Sequence, residues 1–550
     1  MAAHVPIAPG YHQMLKLGAK YFSGLQESVY SNITACRALA SCLRTCYGPC
    51  GYNKLIINHL GKVFFTSDAS TILRELELEN PAARMLRTAA QSQEEEVGDG
   101  TNSVILLASA LLENAEGLLR AGLSVAEVTV GYKQASEKAL EFLQHLCCSI
   151  LEDSRDAGQV AAAIRTTIGS KAAGYADFLA KLVAKCCVSA LSQKGEFDTD
   201  NVRICKIPGA GIFHSTVLSG MLFQRETEGI ITVINGAKIA IYSCTFGLAS
   251  TETKDTMLIQ NPLDLVSSSS GQEELMERHI NHIANTGVNV IVVAGKVEDL
   301  ALYYADRYKL MVVKMTSRHE MQKLCKVVKA TPLLTMTPPL QTEIGSCDHV
   351  YLSEIGDVPV VIFKQEKGHP PVSTIILRGS TNELLSNVAE AITDAVHVYK
   401  ILTVDKRMVP GAGATEVDLC VKLQVLGIKS PGMEHYGILE FARALESIPR
   451  ALAENAGLNV NQVISKLKAA HHLHVLNIGV GNEEVADGTV DALKAGILDS
   501  FLVKAWAIKL ATNVAVTLLN VNQIVMAKKS GGPRFKGDNP NWDAEPDHID

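Results

Sequence analysis

Apolar residues recur at helical spacing near the start of the chain. The spacing predicts a helix over about residues 24–46, which the turn sequence "YGPCG" ends. The segments "KLIIN" and "KVFFT" predict two short strands around a turn at Gly61. In "TSDASTILREL" a helix is predicted to begin with Ser67 or Asp68 as its N-cap. Long alanine- and leucine-rich helices follow to about residue 148, so this region is predicted to be mostly helical.

The pattern changes between about residues 214 and 370. Runs such as "VNVIVVAG" and "VYLSEIGDVPVVIFK" predict strands, and helical segments such as "EDLALYYADRY" alternate with them. This alternation predicts an α/β domain inserted into the chain. Helical spacing returns after residue 404, so we expect one helical domain built from both ends of the chain. The polar, Gly- and Pro-rich end is predicted to be disordered.

Composition narrows the class of protein. A chain of 550 residues with 47% apolar and 20% charged residues predicts a soluble, globular protein of several domains. The net charge of −7 gives no basic stripe, so we expect no nucleic-acid partner. No apolar run approaches 18 residues and the start lacks a secretory signal, so we expect no membrane partner either. Thirteen cysteines in such a chain favour reduced thiols and a cytoplasmic location.

Four of these cysteines lie close together, at Cys36, Cys42, Cys46 and Cys50. Zinc sites usually pair cysteines on turns, whereas three of these four follow the helical pattern. Small buried apolar side chains are therefore the favoured interpretation, and a metal site is the alternative.

The segment Gly98-Asp99-Gly100-Thr101 carries the clearest candidate chemistry. It precedes a long apolar helix whose first amides lack partners, and such a helix start can bind an anion. An aspartate would repel that anion unless a divalent cation lies between them, and Mg²⁺ typically takes carboxylate and phosphate oxygens. The motif therefore predicts a magnesium-nucleotide site. The alternative is an ordinary helix start capped by Thr101, with Asp99 favouring the helix dipole.

Several motifs together resemble the signature set of group II chaperonins, the ATP-driven folding rings of archaea and the eukaryotic cytosol. They keep the family's order and separation along the whole chain. The motifs are "YGPCGYNKLI" at 47–56, "TSDASTILREL" at 66–76, "EVGDGTNSV" at 96–104 and "VPGAGATEVDL" at 409–419, with "VSTIILRGST" and "WAIKLATN" between and after them.

The resemblance implies a multidomain α and α/β fold. A mostly helical equatorial domain would come from residues 1–148 and 404–526, and an intermediate hinge domain from 149–213 and 373–403. An inserted α/β apical domain would span 214–372, with a helical protrusion at about 251–280, and residues 527–550 would form the disordered tail. From the residues alone, 251–280 is equally an ordinary buried helix followed by a loop.

The resemblance also implies ATP and Mg²⁺ as cofactors and assigns residues to them. Asp99 would bind Mg²⁺. The implied ATP-binding residues are Tyr47, Gly48, Pro49, Gly100, Thr101, Asn102, Ser103, Gly169, Ser170, Lys171, Gly411, Ala412, Gly413, Gly479 and Asp499.

Hydrolysis needs a carboxylate that orients and deprotonates a water molecule. The positions that match the family are Asp68 and Asp394. Without the family, Asp68 is a helix cap, Asp394 is a charge off the apolar face of helix 382–400, and Lys171 is a solvated loop residue. Because Asp394 belongs to the intermediate segment, the resemblance implies that this domain must close onto the equatorial one.

Departures from the family pattern occur at Cys50, Ser67, Ala69, Asn102 and Ala412. None removes an aspartate, so we expect an ATPase, although its affinity and rate are left open. The resemblance implies paralogous subunits in two stacked rings of eight, and unfolded client proteins as partners. The rival interpretations are a ring subunit that binds nucleotide but hydrolyses it poorly, and a small-molecule phosphotransferase.

Overall fold

The computed structural model describes residues 20–526, apart from residues 24, 193–194, 248–261, 366–371 and 483–486. The predicted tail at 527–550 and the first part of the predicted protrusion lie outside the described residues.

The first part of the chain is mainly helical, as predicted. Its elements are β1 (Lys20–Ser23), α1 (Leu25–Arg44), β2 (Lys54–Ile57), β3 (Val63–Thr66), α2 (Ala69–Glu75), α3 (Pro81–Glu96), α4 (Thr101–Arg120), α5 (Val125–Gln144) and β4 (Ser149–Ile150). The predicted hairpin is present as β2 and β3, which pair antiparallel, and Gly61 in its turn has a φ of 73° that suits glycine. Asp68 is the N-cap of α2, because its Oδ2 accepts a hydrogen bond from Thr71 N at 2.9 Å. Cys36 and Cys42 lie in α1, whereas Cys46 follows its end.

The middle of the chain alternates helices and strands. Its elements are α6 (Ala157–Lys171), α7 (Ala176–Ala190), β5 (Val202–Pro208), β6 (Thr216–Phe223), β7 (Val233–Tyr242), α8 (Pro262–Asn285), β8 (Val290–Val293), α9 (Asp299–Arg307), β9 (Met311–Lys314), α10 (Arg318–Val328), β10 (Pro332–Leu333), β11 (Gly345–Ile355), β12 (Val358–Lys364), β13 (Ser373–Gly379) and α11 (Asn382–Val404). Short 3₁₀ turns lie at Ala173–Tyr175, Thr199–Asn201 and Ile212–His214.

The last part of the chain returns to helices. Its elements are β14 (Arg407–Pro410), α12 (Ala414–Lys429), α13 (Glu434–Leu445), α14 (Ser447–Asn455), α15 (Val460–His472), β15 (Ile478–Val480), β16 (Thr489–Asp491), β17 (Leu498–Ser500), α16 (Phe501–Leu519) and β18 (Gln523–Met526).

Both ends of the chain share one hydrophobic core. Buried side chains of α1, α3, α4 and α5 pack with those of α12, α13 and α16. The ring centroids of Tyr132 on α5 and Phe441 on α13 are 5.9 Å apart in an edge-to-face contact. The strands β1 and β18 also pair, so the first and last described elements meet.

A nine-stranded sheet runs through the middle of the described chain. Its order is β5-β13-β6-β12-β11-β7-β8-β9, with β10 beside β7. Side chains alternate along β7, so that Ile239 and Ile241 face a core with α10, whereas Ala240 and Tyr242 face α8 and α9. On the other side of this region, α6, α7 and α11 pack together against β13. The inserted α/β architecture predicted from the pattern is therefore present.

The end of the predicted protrusion is helical and packed. Residues 262–285 form α8, and its side chains Met276, Ile280 and Ile283 are buried against the sheet. Residues 251–261 lie outside the described residues. The second half of α8 is thus a core helix.

Helix α16 differs from the sequence expectation about membrane segments. By length and composition it is apolar enough to span a bilayer, although Lys504 and Lys509 interrupt it. Most of it is buried inside the protein against α4 and α5. Buried core helices meet the same criteria of length and composition. The apolar composition of α16 is therefore explained by its place in the core.

Candidate functional site

A cavity of about 540 Å³ opens where α4 begins, within the roughly 300–1,000 Å³ typical of small-molecule sites. Segments from all three parts of the chain line it. The residues predicted from the sequence that line it are Tyr47, Gly48, Pro49, Asp68, Asp99, Gly100, Thr101, Asn102, Ser103, Gly169, Ser170, Lys171, Ala412, Gly413 and Asp499.

Two predicted glycines lie behind this lining. Gly411 donates its N–H to Ile497 O at 2.9 Å, and a Cβ on Gly411 would come within 3.3 Å of Asp499 Oδ2. A Cβ on Gly479 would lie 2.6 Å from Ala412 O, the atom that accepts Val480 N at 2.8 Å. Both glycines therefore allow neighbouring backbone to pack closely against the wall of the cavity.

The start of α4 offers backbone donors to the cavity. Its N-cap is Gly100, which has a φ of 81°, and no side chain among the described residues caps it. Thr101 is the first helical residue, and its hydroxyl donates to Asp68 Oδ1 at 3.2 Å. The alternative in which Thr101 caps the helix is therefore wrong. An uncapped helix start facing a cavity is suited to bind an anion.

Gly98 allows another element to reach this turn. It has a φ of 74°, and a Cβ there would lie 2.2 Å from the Cβ of His397 on α11. No local pattern in the sequence indicates this contact. Glycine at position 98 thus lets α11 pack directly against the turn that carries Asp99.

Asp99 is placed where a cation would be favourable. Its Oδ1 accepts the N–H of Gly100 at 2.6 Å. Burial raises the pKa of Asp99, and the nearby Asp499 raises it further, while Lys171 and Lys504 act against this rise. A half-buried carboxylate beside another acid and a helix start suited to bind an anion fits the oxygen ligands that Mg²⁺ prefers.

Lys171 joins the two predicted catalytic aspartates. Its Nζ lies 3.2 Å from Asp68 Oδ1 and 2.5 Å from Asp394 Oδ2, and all three side chains are at most 16% exposed. The interpretations of Lys171 as a solvated loop residue and of Asp394 as an outward charge are therefore wrong. The structure brings the ends of α2 and α6 and the middle of α11 together at one point.

This arrangement separates the proton affinities of the two aspartates. Burial would raise the pKa of Asp68, but Lys171 and hydrogen bonds from Thr71 and Thr101 hold it below its usual range. Burial raises the pKa of Asp394 well above its usual range, although Lys171 acts in the opposite direction. Burial would lower the pKa of Lys171, but the two carboxylates raise it instead, so Lys171 stays cationic. Two neighbouring carboxyl groups whose pKa values are shifted in opposite directions are a common arrangement at sites of proton transfer.

A second buried charge cluster lies at the cavity and was missed from the sequence. Lys504 on α16 lies 3.0 Å from Asp499 Oδ2 and 2.5 Å from Glu416 Oε1. Burial would lower the pKa of Lys504, but these two acids raise it. The available signal was a charge inside each of the apolar segments "FLVKAWAIKL" and "GATEVDL".

Tyr47 and Gly48 form another part of the wall. The Tyr47 hydroxyl and Ser103 Oγ are 3.0 Å apart, and burial raises the pKa of Tyr47 to about 12. Gly48 has a φ of 84°, and a Cβ there would meet Leu452 Cδ2 at 2.5 Å. Glycine at position 48 therefore allows this shape of the turn without backbone strain.

The departures from the family pattern have visible structural effects. Asn102 Oδ1 accepts the N–H of Ala69 at 2.9 Å, so these two departures contact each other. Ala412 has a φ of 54°, a strained conformation for a residue with a Cβ. Cys50 lines the cavity and is exposed.

Comparison with known proteins agrees with the sequence motifs. The model of the TCP-1/cpn60 chaperonin family matches residues 39–529. The chain is 53% identical to T-complex protein 1 subunit theta from Homo sapiens over 99% of both chains. It is 52% identical to the Gallus gallus protein of that name, over 99% of this chain and 100% of the relative, and 44% identical to the Caenorhabditis briggsae one over 98% of both.

Identity at this level over nearly the whole length extends to the fold. The mixture of helical and α/β regions described above is that of a multidomain chaperonin. Within the family, "GDGTN" and "STILRELE" favour the theta subunit, and the comparisons confirm this. The chain therefore belongs to the TCP-1/cpn60 chaperonin family.

Proposed function

We propose that this chain is an ATP-hydrolysing chaperonin subunit that uses nucleotide to close over non-native proteins. The observation that carries the proposal is that Asp68 and Asp99 line one cavity beside the start of α4, while Lys171 in the same lining pairs with both Asp68 and Asp394. The helix start alone could bind the phosphates of a nucleotide. Hydrolysis also needs a carboxylate that orients the attacking water and one that accepts its proton.

In this proposal each residue has a separate task. The turn at Gly100 and the amides of Thr101, Asn102 and Ser103 would hold phosphate oxygens, and Asp99 would hold Mg²⁺, which supplies positive charge to the phosphates. Asp394 accepts a proton from the attacking water, and Asp68 orients that water. Lys171 keeps the two carboxylates together and is placed to respond to a phosphate, because it lines the same cavity.

The family supports a wider setting for this site. We propose that residues 1–148 and 404–526 form the equatorial domain, that 149–213 and 373–403 form the intermediate domain, and that 214–372 form the apical domain. Closure brings Asp394 of the intermediate domain to the equatorial cavity. We further propose that the chain works in the cytoplasm, with paralogous subunits in two rings of eight that enclose client proteins, as a subunit of the cytosolic chaperonin TRiC.

The test is hydrolysis at this subunit within the native particle. A tagged chain is photolabelled with 8-azido-ATP that carries a radioactive α-phosphate, then isolated, and its bound diphosphate and triphosphate are quantified. Asp394→Asn should lower the diphosphate fraction about 100-fold or more while labelling persists, since a general base contributes roughly 10²–10⁴-fold. Equal diphosphate fractions in the wild type and the variant would contradict catalysis by Asp394.

A second candidate function is a subunit that binds nucleotide but turns it over slowly. It is favoured by the ion pairs of Lys171, which engage both Asp68 and Asp394 in this structure. In that case the wild-type chain would carry mostly triphosphate in the same assay. The mass of the native particle tests the remaining alternative, a small-molecule phosphotransferase. A particle near a megadalton would exclude a monomeric enzyme of 59.1 kDa.

A further inference from the structure

The hydroxyl of Thr66 links two elements at the cavity. Thr66 is the last residue of β3 and is buried, with 1% of its surface exposed. Its Oγ1 accepts the N–H of Asp68 at 3.0 Å and donates to Glu390 Oε2 on α11 at 2.6 Å. The hydroxyl thus uses its proton for the carboxyl group and one of its lone pairs for the Asp68 amide.

Glu390 lies on the same face of α11 as Asp394. The two residues are four positions apart, which corresponds to about one helical turn. Asp394 reaches the side chain of Asp68 through Lys171, and Glu390 reaches the backbone of Asp68 through Thr66. Helix α11 is therefore joined to the start of α2 at two points.

The Thr66–Glu390 contact has the properties of a strong hydrogen bond. It is short and largely shielded from water, and its acceptor is an acid. Burial raises the pKa of Glu390, while Thr66, Lys171 and Lys206 act to lower it and Asp68 to raise it. In either protonation state the carboxyl group keeps an oxygen that accepts the Thr66 proton.

We propose that Thr66 and Glu390 form a second closure contact, which positions Asp394 for hydrolysis without touching nucleotide. Neither residue is among those that line the cavity. Two contacts one turn apart fix the position of α11 against the start of α2 more closely than the Lys171 ion pairs do alone. The inference rests on the proposed function, because it assigns Asp394 as the base.

Four variants test the contact in the native particle. Glu390→Ala and Thr66→Val remove it, whereas Glu390→Gln and Thr66→Ser keep an acceptor and a hydroxyl. We expect each removing variant to lower the diphosphate fraction on the photolabelled chain about tenfold, with nucleotide affinity within about twofold of the wild type. The keeping variants should stay near the wild type. Glu383→Ala, an exposed acid in the first turn of α11, is the matched control.

The double variant distinguishes positioning from general damage. If the two residues act through one contact, Thr66→Val with Glu390→Ala should be no slower than the slower single variant. The proposal would be overturned if the effects of the two single variants multiply in the double variant, or if Glu390→Ala hydrolyses nucleotide at the wild-type rate. It would also be overturned if the variants lose nucleotide affinity by the same factor as they lose rate.

Hydrogen exchange separates this proposal from the proposed function. The Asp68 amide donates to Thr66, so it should exchange faster in Glu390→Ala than in the wild type, with or without nucleotide. Unchanged exchange would overturn the closure contact even if the chain hydrolyses ATP. Absence of bound nucleotide in the wild type would overturn the proposed function, and the exchange rates would then decide the contact alone.

Discussion

At the scale of single residues, Lys171 supplies one positive charge to two largely buried carboxyl groups, Asp68 and Asp394. One positive charge cannot stabilise two negative charges equally, so the pKa values of the two groups differ. Asp68 remains ionised, because its pKa is held low, whereas burial raises the pKa of Asp394. In the proposed mechanism, the carboxylate form of Asp394 is the one that accepts a proton from water. The rate of hydrolysis should therefore rise with pH as Asp394 loses its proton.

Lys171→Met should move this acid limb to higher pH. The ammonium group favours the charged form of Asp394, so its removal raises the pKa of Asp394 further. The measurement is the pH profile of diphosphate formation on the photolabelled chain. Lys181→Met, an exposed lysine on the following helix, should leave the profile unchanged. An acid limb that stays in place or moves to lower pH in Lys171→Met would contradict the assignment.

At the scale of helices and strands, much of the helical region could be predicted from the local spacing of apolar residues and from turn residues. The bounds of α1, the hairpin of β2 and β3 and the cap of α2 agree with spacing and turn residues. The place of Asp394 could not be predicted in this way. Nothing in "EAITDAVHVYK" records that Gly98 lets α11 approach the cavity, because that contact joins residues 299 positions apart. The charges of Lys504 and Glu416 were visible in apolar helices, but their pairing depends on how α12 and α16 pack.

Helices α5 and α13 provide a prediction at the element scale. Phe441→Ala removes the edge-to-face contact with Tyr132 and leaves a cavity between the two ends of the chain. We expect a loss of about 3–5 kcal/mol in the free energy of unfolding, measured by denaturant titration. Val425→Ala, on the neighbouring α12 and 43% exposed, should cost well under 1 kcal/mol. Similar losses in both variants would show that the two ends do not share one core.

At the scale of the whole molecule, two ion pairs join α10 to β5 and to the turn that precedes it. Arg203 Nη2 lies 2.8 Å from Glu320 Oε1, and Lys323 Nζ lies 3.0 Å from Asp200 Oδ1. The first pair connects β5, which lies beside α11, with α10, which packs against β7, β8 and β9. Its side chains are 18% and 37% exposed, so solvent weakens the attraction.

Glu320→Arg should loosen this connection by a small, salt-dependent amount. Repulsion between Arg203 and the introduced charge should speed amide exchange across β5 and α10 at low ionic strength, by no more than about 1 kcal/mol in opening free energy. Arg203→Glu combined with Glu320→Arg should restore part of the protection. If the exchange rates of Glu320→Arg do not depend on salt, the pair does not connect the two regions electrostatically.

The continuous sheet has a consequence for how the two ends of this molecule influence each other. Strand β13 is hydrogen-bonded to both β5 and β6, and α11, which carries Asp394, follows it after a short turn. Thermodynamic linkage is reciprocal. If a ligand biases the orientation of β7–β9, and this sheet transmits the bias, the ligand changes the free energy of closing α11 onto Asp68. Closure then changes the binding free energy of that ligand by the same amount. Under the proposed function, a captured protein would thereby act as an allosteric effector of its own enclosure.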